Sequence, residues 1–263
     1  MAHSQNKILL IVEGEKTEKN VFERLSKIKI NNSQLEIIDI KTNIYVLYQM
    51  IKEINAGFDF DSTSTIEVLR EFLKSHRRYD DLEKLKGNFP YIYLLFDFDF
   101  QDRCFPKSEK EKILRDMLIH FNDETENGLL LINYPMIESY RDCDANLEYK
   151  DFPNLLVSLN DIETKGYKNI VHDRGNTLDV NKYTINNYEK LLLQNIMKGN
   201  FIINGKYLVP NYEYFLDSIL LGSKILEHEF EYVNEGNISI LCTAFYLLVS
   251  YFGKKYYNYI TTK

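Results

Sequence analysis

The sequence predicts an α/β fold with a central, mostly parallel sheet, followed by a mainly helical C-terminal region. Three observations carry this expectation. The runs "KILLIV" and "YIYLLF" are continuously apolar and of strand length, the pattern of parallel strands covered on both faces. Amphipathic helical segments stand between such runs, so strands and helices alternate over roughly the first 140 residues. From about Tyr183 onward the apolar periodicity is mostly helical.

The elements follow in order. "KILLIV" is the first strand, and Glu13-Gly14 breaks it. From Thr17, Val21, Phe22, Leu25 and Ile28 recur at helical spacing, completing a strand–loop–helix unit. "LEIIDI", Leu35 to Ile40, is a second strand. "NIYVLYQMIKEI" reads as a helix ended by Gly57, and "TIEVLREFLKSHRR" as another with Val68, Leu69 and Phe72 inward. "YIYLLFDFDF", Tyr91 to Phe100, is the clearest strand; "KSEKEKILRDMLIHF" is an amphipathic helix and "GLLLINYP" a further strand. Residues 141–180 read as polar and irregular. Three helical stretches follow: "NNYEKLLLQNIM", "YEYFLDSILLGSKILEHEF" and the strongly apolar "ISILCTAFYLLVSYF". The Asn-Gly in "FIINGKYLV" predicts a small hairpin. Residues 1–140 thus form an α/β domain and residues 141–263 a helical region, with neither a repeat nor a low-complexity linker between them.

Composition narrows the class. In 263 residues, 44% are hydrophobic and only five are proline, which supports a sizeable core and opposes disorder. The formal net charge of -7 means that a nucleic-acid partner would need a local basic face. Cys104, Cys143 and Cys242 are far apart and form no CxxC pair, so they read as reduced thiols of a cytoplasmic protein. The N-terminus lacks the pattern of a secretory signal, and the most apolar segment is short for a bilayer, so no membrane association is expected.

Carboxylates mark the strand ends. Ligands of parallel α/β sheets collect beyond the carboxyl ends of the strands. Glu13 stands at one such end, Asp97 and Asp99 at another. Strand alternation puts Asp97 and Asp99 on one face and Phe98 on the other. If the two strands are neighbours, three carboxylates converge, and their repulsion and desolvation favour a divalent cation with hard oxygen ligands such as Mg²⁺. Taken singly, a Glu-Gly pair also serves as an ordinary turn, and a D-x-D as an exposed acidic loop.

Together, "ILLIVEGEKTEKNVFERL" and "YIYLLFDFDF" resemble the topoisomerase–primase (TOPRIM) domain, a Rossmann-like fold. "VEGEKTEKNVF" is most similar to its RloB-like and OLD-like branches, whose members often serve in anti-phage defence. "INYPMIESY" resembles the segment after their last core strand. The resemblance covers about residues 7–140; the helical remainder resembles no named family. It implies a nuclease, topoisomerase or primase core that uses Mg²⁺ or Mn²⁺. Glu13 matches the family glutamate, and Asp97 and Asp99 its two aspartates. Glu18 is the best match to a second glutamate, with Glu15 competing. Asp102 and Glu138 are possible additional ligands, although Glu138 also fits a helix start. The expected activity is phosphodiester hydrolysis in DNA or RNA, tRNA included, by a toxic effector of anti-phage (abortive-infection) defence. Topoisomerase and primase activity rank lower, because strand-passage domains and a preceding zinc module are missing from the sequence.

Lys16, Lys74, His76, Arg77 and Arg78, the "KSEKEK" run, Lys165 with Lys168, and Lys254 and Lys255 are the candidates for phosphate contacts, the last pair interleaved with Tyr256, Tyr257 and Tyr259 for base stacking. The sequence contains no P-loop motif. The resemblance therefore implies a separate ATPase subunit as partner; a homo-oligomer is compatible with the sequence. The competing class is a TOPRIM-derived binding or regulatory subunit that has lost cleavage.

Overall fold

The computed structural model describes residues 7–30, 34–54, 64–143, 155–174 and 178–263. Strand β1 (Ile8–Val12) is buried at every position, as a strand covered on both faces must be. Helix α1 (Thr17–Leu25) follows and turns Val21, Phe22 and Leu25 inward before running into a π-helical turn, Ser26–Ile30. Strand β2 (Leu35–Asp39), helices α2 (Ile44–Ile54), α3 (Thr65–Ser75) and α4 (Tyr79–Lys84), and strand β3 (Tyr91–Asp97) come next. Helix α5 (Lys107–His120), the two-residue strand β4 (Asn122–Asp123) and strand β5 (Gly128–Asn133) complete the sheet. The predicted helix end at Gly57 lies outside the described residues.

The sheet order is β2-β1-β3-β5-β4. The first four strands are parallel, and only the short edge strand β4 is antiparallel. The chain leaves β1 to one side for β2 and returns on the other side as β3. The carboxyl ends of β1 and β3 therefore flank a topological switch point, where open α/β sheets form a crevice. Ile11 and Leu94 meet Leu47, Val68 and Leu69 on one face. On the other face, the Tyr93 hydroxyl lies 3.0 Å from Ser250 Oγ.

The C-terminal region covers that second face. A short hairpin pairs β6 (Leu156–Ser158) with β7 (Asn237–Ser239). Helices α6 (Leu159–Lys165), α7 (Tyr167–Arg174), α8 (Ile185–Asn204), α9 (Tyr212–Tyr214), α10 (Ser223–Asn234) and α11 (Leu247–Thr262) make up the rest. Tyr134 and Leu241 exchange two backbone hydrogen bonds of 2.8 Å, and the Thr243 hydroxyl donates to the Ile132 carbonyl. The apolar core is one contiguous cluster that draws on residues from both sides of position 140.

Four expectations change here. The Asn-Gly hairpin is absent: Asn204 ends α8, and Gly205, at φ 67°, is its left-handed C-cap, a role that favours glycine as strongly as a hairpin does. The predicted single helix over Tyr212–Phe230 is broken by Gly222 at φ 73°. The apolar segment beginning at Ile238 is a strand, then a 3₁₀ turn at Thr243–Tyr246, and only then a helix, because its first residues pair with β6 and Tyr134. Within 141–180, residues expected to be irregular form β6, α6 and α7.

Candidate metal and phosphate centre

The site is assembled from the carboxyl ends of β1 and β3. After Val12, the Glu13 amide continues the ladder by donating to the Leu95 carbonyl at 3.2 Å. The Glu13 carboxyl then reaches across, and its Oε2 accepts the Asp97 N–H at 3.0 Å. Residues 84 apart in sequence thus share one hydrogen bond at the switch point.

Gly14 has a definite reason to be glycine. Its N–H donates to Glu18 Oε1 at 3.0 Å, and a Cβ there would meet Glu18 Oε2 at 2.7 Å. The carboxylate of Glu18, in the first turn of α1, lies against the backbone in space only glycine leaves. Glu15 points away, is exposed, and pairs with Lys41 at 3.3 Å. Of the two competing glutamates, Glu18 is the one brought to the cluster.

Asp97 is the last residue of β3 and is 9% exposed. Its Oδ1 accepts the Ile137 N–H at 2.8 Å, which places the 3₁₀ turn Ile137–Asp142 beside it. Glu138 in that turn is 6% exposed. Its Oε1 accepts the Thr17 hydroxyl at 3.0 Å and lies 3.2 Å from Lys168 Nζ, while its Oε2 is buried without a hydrogen-bond partner. Asp99 arrives by a different route from the one alternation predicts. The strand ends at Asp97, and Asp99 has φ 40°, a strained left-handed conformation for a non-glycine residue. Phe98 turns into an aromatic cluster with Phe100, Tyr134 and Phe230.

The loop behind Asp99 is held by Lys110, which lies in the "KSEKEK" run expected to offer phosphate contacts and is spent on backbone carbonyls instead. Its side chain is fully buried, and Nζ donates to the carbonyls of Phe100 and Asp102 at 2.6 Å each. Tyr45 caps the Phe98 carbonyl at 3.1 Å. Asp102 is used within this loop, accepting from Asn43 at 2.7 Å and from the Cys104 N–H at 2.6 Å. A buried lysine inside an amphipathic helix was the available signal for this support, since a charge on the apolar face must find acceptors.

Electrostatics follows from the crowding. Five carboxyl groups, those of Glu13, Glu18, Asp97, Asp99 and Glu138, face Lys110 and Lys168. Burial first, then the Asp99 charge, pushes Glu13 up to about 8. Glu13 holds a proton under those conditions and shares a hydrogen bond with Asp99. Burial, then Glu13, Glu18 and Glu138, drives Asp97 well above the ordinary carboxylate range. Burial also raises Glu18, against hydrogen bonds from its own N–H and that of Gly14. Asp99 is raised by burial and by Asp102.

The donor set is all oxygen, which suits a hard cation, and the Glu138 Oε2 atom lacks a donor of its own. Among the described residues, no group of three or more His, Cys, Asp or Glu side chains stands in metal-holding geometry; the carboxylates are tied to protein donors.

The other predicted residues are scattered. Lys16 is exposed at the start of α1, close to the cluster. Arg77 is exposed, with φ 56°. Arg78 is committed to ion pairs with Asp39 and Asp81. Lys254, on α11, pairs with Glu213 of α9, and Lys255 follows it. Helix α11 packs on Tyr91 and Tyr93, at the amino end of β3 and opposite the carboxylates. Tyr256 and Tyr257 are buried, which removes them as base-stacking surfaces, whereas Tyr259 is exposed. All three cysteines are free thiols. Among the described residues, no helix is long and apolar enough to cross a membrane.

No family model matches this chain, and neither a curated protein nor a solved structure matches it.

Proposed function

We propose that this chain is a TOPRIM-like, metal-dependent nuclease that hydrolyses phosphodiester bonds in DNA or RNA. The observation that carries the reading is the convergence of Glu13, Glu18, Asp97, Asp99 and Glu138 at one switch point. Such a cluster is costly in the absence of a cation.

Mg²⁺ or Mn²⁺, held by Asp97 and Asp99 with Glu13, Glu18 and Glu138 as further oxygens, would offset the phosphate charge and lower the pKa of a bound water. The protein's own groups do the rest. Glu13, freed of its proton once a cation offsets the neighbouring carboxylates, would serve as a further ligand or as the general base on the attacking water. Lys168 places an ammonium 3.2 Å from Glu138, over the cluster, where it balances the charge of an approaching phosphate. Lys110 and Tyr45 fix the carbonyls of the Phe98–Asp102 loop and so the position of Asp99. By its resemblance, the protein would be the toxic effector of an anti-phage system under an ATPase partner.

A second reading, a non-cleaving binding subunit, draws on the carboxylates being tied to protein donors instead of standing in metal-holding geometry. A Mn²⁺ titration followed by thermal unfolding, with DNA and tRNA substrates in parallel, separates the two. A nuclease gains stability with Mn²⁺ and cuts, and Glu13→Gln abolishes both effects. Full cleavage in chelator, or by Glu13→Gln, overturns the proposal; metal binding without cleavage of either substrate selects the second reading.

A further inference from the structure

Beside the carboxylates lies a cavity of about 200 Å³, lined among others by Lys16, Thr17, Asn20, Arg141, Asp179 and Asn181. We propose that it is a phosphate subsite for single-stranded nucleic acid, with Lys16 and Arg141 as its anion-binding groups. The proposal deepens the nuclease reading and rests on it for the adjoining site.

Adjacency is the first ground. Thr17 lines the cavity and donates its hydroxyl to Glu138 at 3.0 Å. Arg141 follows Glu138 in the same 3₁₀ turn, and Lys16 precedes Glu18 by two residues. A strand whose phosphate lies at the carboxylates thus meets this cavity next. Charge is the second ground. The guanidinium of Arg141 rests near the Tyr140 hydroxyl, 3.3 Å from Nε, and Glu138 is the carboxylate that acts on it among the described residues. The lining carboxylate, Asp179, keeps its charge but accepts the backbone and side-chain amides of Asn181 at 3.0 and 3.1 Å, so the two cations of the lining, Lys16 and Arg141, outnumber it. Asn20 adds a side-chain amide suited to a sugar or base edge.

Shape favours an unpaired strand. Glu18, Asp97 and Glu138 are each under a tenth exposed, and Lys168 lies across Glu138. A stiff duplex cannot bend its phosphates into such a recess over a few nucleotides without a deformation cost of several kcal/mol. With a net charge of -7, a broad basic face to offset that cost is not supplied by overall composition.

Fluorescence anisotropy in chelator tests the subsite without relying on cleavage. The probe is a labelled oligonucleotide of one sequence, as DNA and as RNA, each alone and annealed to its complement. The full-length protein binds the single strand more tightly than the duplex. Lys16→Met and Arg141→Met each flatten the slope of log K against log salt by about 0.7 and weaken binding roughly tenfold at low salt. Lys206→Met, in the exposed loop after α8, behaves as the parent does. Arg141→Lys, which keeps the charge, retains most of the affinity and guards against a folding defect in Arg141→Met. Unchanged affinity and slope in both Met variants, or tighter binding of the duplex, overturns the inference even if the protein proves to be a nuclease. A protein that binds the strand through Lys16 and Arg141 but neither takes up Mn²⁺ nor cuts would overturn the nuclease reading and leave the subsite standing.

Discussion

Replacing Glu13 by glutamine should inactivate the protein and stabilise it at alkaline pH. In the metal-free fold, Glu13 is raised from 4.5 to about 8, chiefly by burial and then by Asp99. A carboxyl raised in the folded state contributes stability that is present below its unfolded pKa and is lost as pH climbs through the folded value. The loss therefore falls between about pH 4.5 and pH 8. The gap of about 3.5 on the pH scale, at about 1.4 kcal/mol each, gives an upper limit of about 5 kcal/mol. Sharing of protons with Asp97 and Asp99 makes roughly 2–4 kcal/mol the realistic range.

Glutamine mimics the protonated side chain. Its carbonyl can accept the Asp97 N–H, and its amide can donate to Asp99, so the hydrogen bonds of Glu13 are retained without the charge. The assay is urea unfolding of the metal-free protein at pH 5.5 and pH 9. Glu13→Gln should exceed the parent by only about 1 kcal/mol at the lower pH and by roughly 2–4 kcal/mol at the higher. Added Mn²⁺ should narrow the difference by stabilising the parent alone. Equal stability of the two proteins at pH 9 would refute the claim that the cluster is electrostatically loaded, and with it the main support for a cation site.

Three further outcomes follow from single contacts. Gly14→Ala drives a Cβ to 2.7 Å from Glu18 Oε2, so the carboxylate must turn away; cleavage should fall at least tenfold while thermal unfolding shows a loss of only about 1 kcal/mol. Lys110→Met strips the Phe100 and Asp102 carbonyls of their buried donor; urea unfolding should show a loss of about 2–4 kcal/mol, and Mn²⁺ affinity should drop because Asp99 is no longer held. Glu229, fully buried and accepting the Ser239 N–H at 2.9 Å, is raised by burial from 4.5 to about 7. By the same sign, its stabilising effect disappears between about pH 4.5 and pH 7. Glu229→Gln should thus melt higher than the parent at pH 8.5, by the equivalent of about 3 kcal/mol, with cleavage chemistry unaltered.

The parts of the fold legible in the sequence were those fixed by local pattern. The strands β1, β3 and β5 are buried almost throughout, so their apolar runs needed no tertiary context to be read. Glu13 and Asp97 stood out because each ends such a run. The rest depended on long-range pairing. Ile238 lies in a strand because β6 lies beside it, and no local pattern in an all-apolar segment distinguishes that strand from a helix. Asn204-Gly205 carries a signal shared by hairpins and helix C-caps, and the helical run before it decides for the cap. Lys168 was one lysine among several until α7 placed it at Glu138, 30 residues earlier in the chain.

Asp99 shows most clearly how local rule and site requirement diverge. Had the strand continued, pleat alternation would have carried Asp99 onward along the sheet, away from the end of β1. The left-handed backbone at φ 40° instead folds the chain back, and the Glu13 and Asp99 carboxyls share a hydrogen bond. That conformation costs on the order of 1–3 kcal/mol for a residue other than glycine, and it brings like charges together, which adds to the cost. Lys110 and Tyr45 hold it from behind through backbone carbonyls. Strain and repulsion accumulated at one point, with the contacts of Lys110 and Tyr45 directed at the backbone, are what the proposed cation would relieve, and a variant relaxed at Asp99 should therefore gain less stability from Mn²⁺ than the parent does.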